Sequence, residues 1–250
     1  MTHSKALRHP TTWPASESSS RASPLPRRLR DALASAGIRR PRFTRGARTE
    51  RPFDAPVLRT ARLVLRPHRM SDADAWFELQ SDPEVSRFLP WPRRDRRLSA
   101  RHLHDRTGHT RLWQTNDFLA LAIEKDGRLI GDVSLHLRAV GPADRSVEIG
   151  WVLDPAEAGN GYATEAARAM LEFAFGVVKA RWVTAVTDRR NIPSVALAKR
   201  LGFVEVQAPH AGATPADAVF LLARGAHESA VALEGEPLHR AAPDRGTRHR

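Results

Sequence analysis

Hydrophobic residues follow a regular period only in the middle of the chain. From residue 1 to 53 no period is sustained and Ser, Pro and Arg dominate. The run Ser16-Glu17-Ser18-Ser19-Ser20 and the prolines Pro24, Pro26 and Pro41 read as disorder, with room for one short helix over 29–36. Residues 226–250 look similar. Between these tails, Leu63-Val64-Leu65 predicts a short strand. Ser71-Asp72-Ala73-Asp74 then reads as a capping box, with Ser71 as cap and Asp74 at the third helical position. The helix it opens runs through Trp76, Phe77 and Leu79 and is limited by Pro83; a second helix is expected over 99–113.

Three strands come next, over 118–124, 129–137 and 146–153. Lys125-Asp126-Gly127-Arg128 is a tight-turn sequence that joins the first two. Ala163, Ala167, Met170, Leu171, Ala174, Phe175 and Val178 then recur at helical spacing. A strand over 181–187, a helix over 192–201 stopped by Gly202, and strands over 203–206 and 218–222 complete the pattern. Strands and helices intermingle throughout, so 54–225 reads as one mixed α/β domain between a basic arm (1–53) and a tail (226–250).

Composition narrows the function. The 250 residues include no cysteine, which removes disulfides, thiolate metal sites and a cysteine nucleophile and fits a reducing cytoplasm. No apolar run approaches the ~20 residues of a membrane span, and no apolar leader opens the chain. The formal net charge is +12, yet residues 1–53 carry twelve Lys/Arg against three Asp/Glu, whereas 54–223 carry 23 against 21. The basic character therefore belongs to the arm, where contact with ribosomal RNA or another polyanion competes with a simple solvated tail.

The chemistry lies in Glu148-Ile149-Gly150-Trp151-Val152-Leu153-Asp154-Pro155 and the following Gly159-Asn160-Gly161-Tyr162-Ala163-Thr164-Glu165-Ala166. A strand ends, a Gly-x-Gly turn follows and a long helix begins. Glycines let the backbone approach a ligand, and a helix start offers unpaired N–H groups and a positive dipole end, which together suit a pyrophosphate. No lysine follows as in a P-loop, and Thr164 and Glu165 do not supply the third glycine of a dinucleotide fold. No Gly-x-Ser-x-Gly supports a hydrolase. His102, His104, Asp105 and His109 are spaced poorly for a shared metal, so no metal is expected.

With Asn191-x-x-Ser194 and Leu201-Gly202-Phe203 downstream, the chain resembles the GCN5-related N-acetyltransferase family over about 57–223, nearest to its ribosomal-protein N-terminal acetyltransferase branch; Trp91 also looks like that branch. The resemblance implies a mixed central sheet whose parallel strands splay, flanked by helices. It implies acetyl-CoA as co-substrate, with the backbone of Trp151, Val152 and Leu153 along the pantetheine arm and the N–H groups of Ala158, Gly159, Asn160, Gly161, Tyr162, Ala163 and Thr164 at the pyrophosphate. Asn191 would meet the pantetheine or thioester. The family usually carries Gln or Arg where this chain has Ala156.

Amide formation needs a neutral amine, and α-amines titrate near ~8, so a base must act. Glu148, on one strand face with Gly150 and Val152, is the candidate base; a solvated strand residue or an ion pair with an arginine is the plainer reading. Ser194 is the candidate hydrogen-bond donor to the departing thiolate, or else a helix-capping residue. Asn191 suits a cap as well as a ligand, and the single tyrosine, Tyr162, sits in the cofactor turn where packing suits it better than catalysis. The expected activity is acetyl transfer to a primary amine, first a protein N-terminal α-amine, second a small-molecule amine. A non-catalytic CoA-binding module is the reading from another class. The acceptor would be chosen by 90–116 and 209–217.

Overall fold

The computed structural model describes residues 46–89, 93–207 and 214–235. The helix expected over 29–36, Trp91 and residues 209–213 lie outside the described residues. The strands are β1 (Arg48–Asp54), β2 (Leu58–Arg59), β3 (Val64–Pro67), β4 (Arg111–Gln114), β5 (Phe118–Lys125), β6 (Arg128–Ala139), β7 (Ser146–Leu153), β8 (Trp182–Asp188), β9 (Val204–Glu205) and β10 (Asp217–Ala223). The helices are α1 (Ala73–Ser81), α2 (Pro83–Ser86), α3 (Arg96–Thr107), α4 (Tyr162–Gly176), α5 (Ile192–Arg200) and α6 (Arg224–Gly235).

Eight strands form one sheet in the order β2-β3-β5-β6-β7-β8-β10-β9. The turn between β5 and β6 has both central residues left-handed, Asp126 at φ 51° and Gly127 at φ 80°, the geometry whose twist matches a two-residue hairpin. All neighbours run antiparallel except β7 and β8, which are parallel because α4 carries the chain back between them. Those two strands pair from Ser146↔Trp182 to Ile149↔Ala185 and then part, although β7 continues to Leu153 and β8 to Asp188.

Alternation along β6 sorts the two faces of the sheet. Val133, Leu135 and Leu137 are fully buried in the main core with Ala167, Met170 and Ala174 of α4. Asp132, Ser134 and His136 point the opposite way. On that second face α1 and α3 pack through Trp76, Leu79 and Leu103 onto Ala122 and Leu129. Asp132 is buried there, accepting from His68 Nε2 at 2.7 Å and from Arg106 Nε and Nη2 at 3.1 and 2.5 Å. Burial alone would raise its pKa, but the Arg106 charge and the His68 bond outweigh this and hold the carboxyl well below the usual range. Arg66 clamps Asp72 nearby with bonds of 2.9 and 2.7 Å.

Several expectations are corrected. Residues 48–53, expected to end the arm, belong with Asp54 to β1, paired with β4 and anchored by the Glu50–Arg145 ion pair and buried Phe53. The second helix stops at Thr107, and 111–114 is a strand: Leu112 and Gln114 are buried through pairing with β1, a long-range contact that outweighs local helical spacing. The helix entry at 69–72 is fixed by Asp72, which accepts the Arg69 N–H at 2.8 Å, while Ser71 is exposed and Asp74 instead pairs with Arg96. Residues 224–235 continue from β10 as α6, with His227 stacked on Phe175 at 4.8 Å.

His102 supplies a test of this packing. It lies against Trp76 at 5.7 Å, and burial with the nearby Arg106 and Arg94 charges pushes its pKa down to about 2. An unfolded histidine titrates near ~6.5. The folded pKa being the lower, the unfolded chain takes the proton first, so the stability from neutral His102 is complete above about 6.5 and is lost as pH falls. The urea midpoint should drop between pH 7 and pH 5, and His102→Gln should flatten that drop; an equal slope in both proteins would refute the assignment.

Candidate active site

A cavity of about 1940 Å³ runs from the start of α4, through the gap between β7 and β8, to α3 on the far face of the sheet. Its first part is a backbone cradle. After β7, Asp154 Oδ1 accepts the Ala156 N–H at 3.0 Å and opens a 3-10 turn over Pro155–Glu157. Gly159 (φ 80°) and Gly161 (φ 81°) then reverse the chain. A Cβ on Gly159 would meet nothing within 4 Å, so its φ, rather than crowding, requires glycine there. Gly161 caps α4 without a side chain, so the first N–H groups of the helix, near Tyr162, Ala163 and Thr164, are not covered by a capping side chain. Asn160 steadies the turn by donating to the Glu157 and Ala158 carbonyls, each at 3.3 Å.

Residues distant in sequence brace this cradle. Arg62 donates to the Asn160 carbonyl at 2.9 Å, lies 4.5 Å over the Tyr162 ring and holds Glu165 at 2.7 Å. Glu165 also accepts from Thr60 Oγ1 at 2.6 Å. Burial tends to raise the Glu165 pKa, but the bonds from Thr60 and Arg62 overcome it and lower the value. Lys125 approaches the Tyr162 ring from β5 at 5.0 Å and pairs with Glu157 at 3.1 Å. Tyr162 thus packs between cations at the turn. Thr164 accepts from Arg200 at 3.2 Å, tying α4 to α5.

The second part is the gap itself. Trp151, Val152 and Leu153 pair with Val133, Asp132 and Gly131 of β6 on one side, while β8 has parted on the other. Asn191 caps α5, its Oδ1 accepting the Ser194 N–H at 3.3 Å. The Trp151 side chain crosses toward α5 and donates from Nε1 to Ser194 Oγ at 3.3 Å. Asn191 and Ser194 therefore line the same cavity as the end of β7.

The third part lies on the α3 face. Glu148 is 5% exposed, and its Oε2 accepts from Arg138 Nε at 3.1 Å and Nη2 at 2.9 Å. The expected ion pair with an arginine is thus present, and the carboxylate still lines the cavity. His136 stands directly across from Glu148 on β6, with its ring 4.2 Å from Phe118. His109 packs on the same phenyl at 4.9 Å. His102 is bonded to Gln80, and His104 is exposed. Among the described residues no group of three or more His, Cys, Asp or Glu is placed to hold a metal.

The sequence profile of the acetyltransferase (GNAT) domain matches residues 62–204. The chain belongs to the GNAT family. It is 27% identical to the N-acetyltransferase YnaD of Bacillus subtilis over 143 residues, 57% of this chain and 79% of that protein. Its fold is similar to that of RimL, a ribosomal L7/L12 α-N-protein acetyltransferase solved with coenzyme A, with a TM-score of 0.51, 20% identity and coverage of 68% and 98% of the two chains. It is also similar to the microcin C7 self-immunity acetyltransferase MccE, solved with acetyl-CoA and AMP, with a TM-score of 0.51, 17% identity and coverage of 66% and 93%. The chain is an acetyl-CoA-dependent N-acetyltransferase, and the mixed sheet with its parted parallel strands is the GNAT architecture.

Reading the sequence missed Arg62, Thr60 and Lys125, whose partners lie far along the chain, and Arg138, His136 and Asp132, which the period-2 polar positions of β6 do signal. Glu165→Ala should release the brace on α4. Amide exchange over 165–168, the first hydrogen-bonded amides of the helix, should accelerate while that of 170–175 stays slow; unchanged protection in the variant would mean the cradle holds without Glu165.

Proposed function

We propose that this GNAT enzyme transfers acetyl to a protein N-terminal α-amine, in the manner of the ribosomal-protein branch, with Glu148 as base and Ser194 as hydrogen-bond donor to the departing sulfur. The observation that carries the chemistry is one continuous cavity that joins the glycine cradle, the strand gap and the Glu148 carboxylate. Ala158–Thr164 would hold the pyrophosphate through backbone N–H groups, which need no side chain at Ala156. Trp151, Val152 and Leu153 would meet the pantetheine arm along the edge that β8 leaves. RimL supports the N-terminal reading; MccE, seen with AMP, keeps a small-molecule amine as the second reading.

Glu148 removes a proton from the ammonium, directly or through water. The amine nitrogen attacks the thioester carbon, a C–N bond forms, the C–S bond breaks and the sulfur leaves with the electron pair. The Trp151 indole N–H can only donate, so Ser194 Oγ accepts from it and keeps its own O–H to donate toward the sulfur. Arg138 fixes one Glu148 oxygen and so aims the carboxylate.

Gly161→Asp puts a carboxylate at a left-handed position in the cradle and should abolish acetyl-CoA binding by calorimetry; unchanged affinity would remove the cradle from the cofactor site. Glu148→Gln should lower kcat/KM by about 10²–10⁴-fold with acetyl-CoA affinity retained. That loss should shrink at high pH, where the amine deprotonates itself. Ser194→Ala should give a milder loss that persists at high pH. A Glu148→Gln pH profile parallel to wild type would transfer the base role to water.

A further inference from the structure

The positive charge of the catalytic body is concentrated at one place. Residues 54–223 carry 23 Lys/Arg and 21 Asp/Glu, a net +2. The fifteen residues 93–107 alone hold Arg93, Arg94, Arg96, Arg97, Arg101 and Arg106 against Asp95 and Asp105, a net +4. The rest of the body is therefore net −2, and an arginine-rich composition does not account for the cluster.

This segment is α3 with its lead-in, the wall of the cavity on the Glu148 side. Arg94, His102, Asp105 and Arg106 line the cavity, while Arg93, Arg97 and Arg101 are exposed and lie outside that lining. Arg94 lies near enough to Arg106 that, after burial, the Arg106 charge is what lowers its pKa, and both charges bear on His102. Arg87 and Arg190 also line the cavity, Arg190 being paired with Asp188 at 2.7 Å, and Glu84 is the acid of that lining nearest in sequence to Arg87. The two buried carboxylates of this half are matched within the protein, Asp132 by Arg106 and Glu148 by Arg138. A half-buried wall of like charges raises the local concentration of anions and steers them inward.

We infer that the acceptor is an acidic polypeptide, whose side-chain carboxylates run along the arginine face of α3 while its N-terminal amine reaches Glu148. The inference rests on the acetyltransferase reading above. A nucleic acid would meet the same charge, but its backbone has no primary amine to acetylate, and this charge leads into the reaction cavity.

The test is thiol release from acetyl-CoA by the full-length protein with two matched peptides, Ser-Glu-Asp-Glu-Ala-Ala and Ser-Gln-Asn-Gln-Ala-Ala, both amidated at the C-terminus. At low salt the acidic peptide should be favoured in kcat/KM by about tenfold, mostly through KM, and the preference should fade by about 0.5 M salt, where screening is nearly complete. The double variant Arg97→Glu/Arg101→Glu, on exposed positions outside the cavity lining, should lose the preference and keep wild-type activity on the amide peptide, which also reports intact folding. Equal rates on both peptides, a salt-insensitive preference, or a preference that survives the double variant would each overturn the inference. Acetylation of small amines but of neither peptide would overturn it too, while leaving the enzyme reading intact. No thiol release with any amine would instead refute the enzyme reading itself. Inhibition by short RNA without any peptide preference would reassign the arginine face to a polyanion.

Discussion

The structure depends on one interrupted pairing. β7 and β8 hold each other only as far as Ile149 and Ala185. Beyond that point the backbone of both strands must find other partners or a ligand, because unpaired peptide groups are costly in a closed interior. On one side β6 continues to satisfy β7; on the other the edge opens into the cavity. The gap persists because α4 and α5 pack from the same face and keep the strands apart, with Arg200 on Thr164 joining the helices and Trp151 reaching Ser194 across the opening. If this gap takes the cofactor as proposed, backbone groups supply most of the contacts, and an alanine at position 156 is no obstacle.

Polar groups on the other face answer a different demand. Asp132, His68, Arg106, Arg66 and Asp72 sit beneath α1 and α3, where a plain apolar layer would also fill space. Ion pairs of this kind contribute little net stability, since desolvation offsets the attraction, but breaking one partner leaves a buried charge and is severe. Their geometry fixes how α3 lies on the sheet. The arginines that face the cavity are thereby set at a defined distance from Glu148.

Much of this was legible in the sequence because it is local. Strand 146–153 is legible with its observed limits, the tight turn at 125–128 follows from residue type, and Gly202, with φ 85°, stops α5 as its place after the helical run implies. The glycine cradle and the capping role of Asn191 were also visible. What escaped is non-local. Nothing near Arg62 announces Glu165, 103 residues away, and residues 111–113 read as helix because local spacing does not reveal their pairing with β1. The misread capping box shows the same limit at short range: Ser71 and Asp72 both suit a cap, and the tertiary clamp from Arg66 selects Asp72.

The ribbon of β1 and β4 has a mechanical consequence. β1 begins where the basic arm ends, and β4 is the only short link between α3 and β5. Asp54 holds Arg111 at 2.6 Å, and Thr49 donates to the Trp113 carbonyl at 3.1 Å, so the two strands move as a unit. A displacement at Arg48 would be delivered through this ribbon to the segment that follows α3. The same ribbon is seated on the α4 face through Phe53 and the Glu50–Arg145 pair, so a pull at its start loads both faces of the sheet at once.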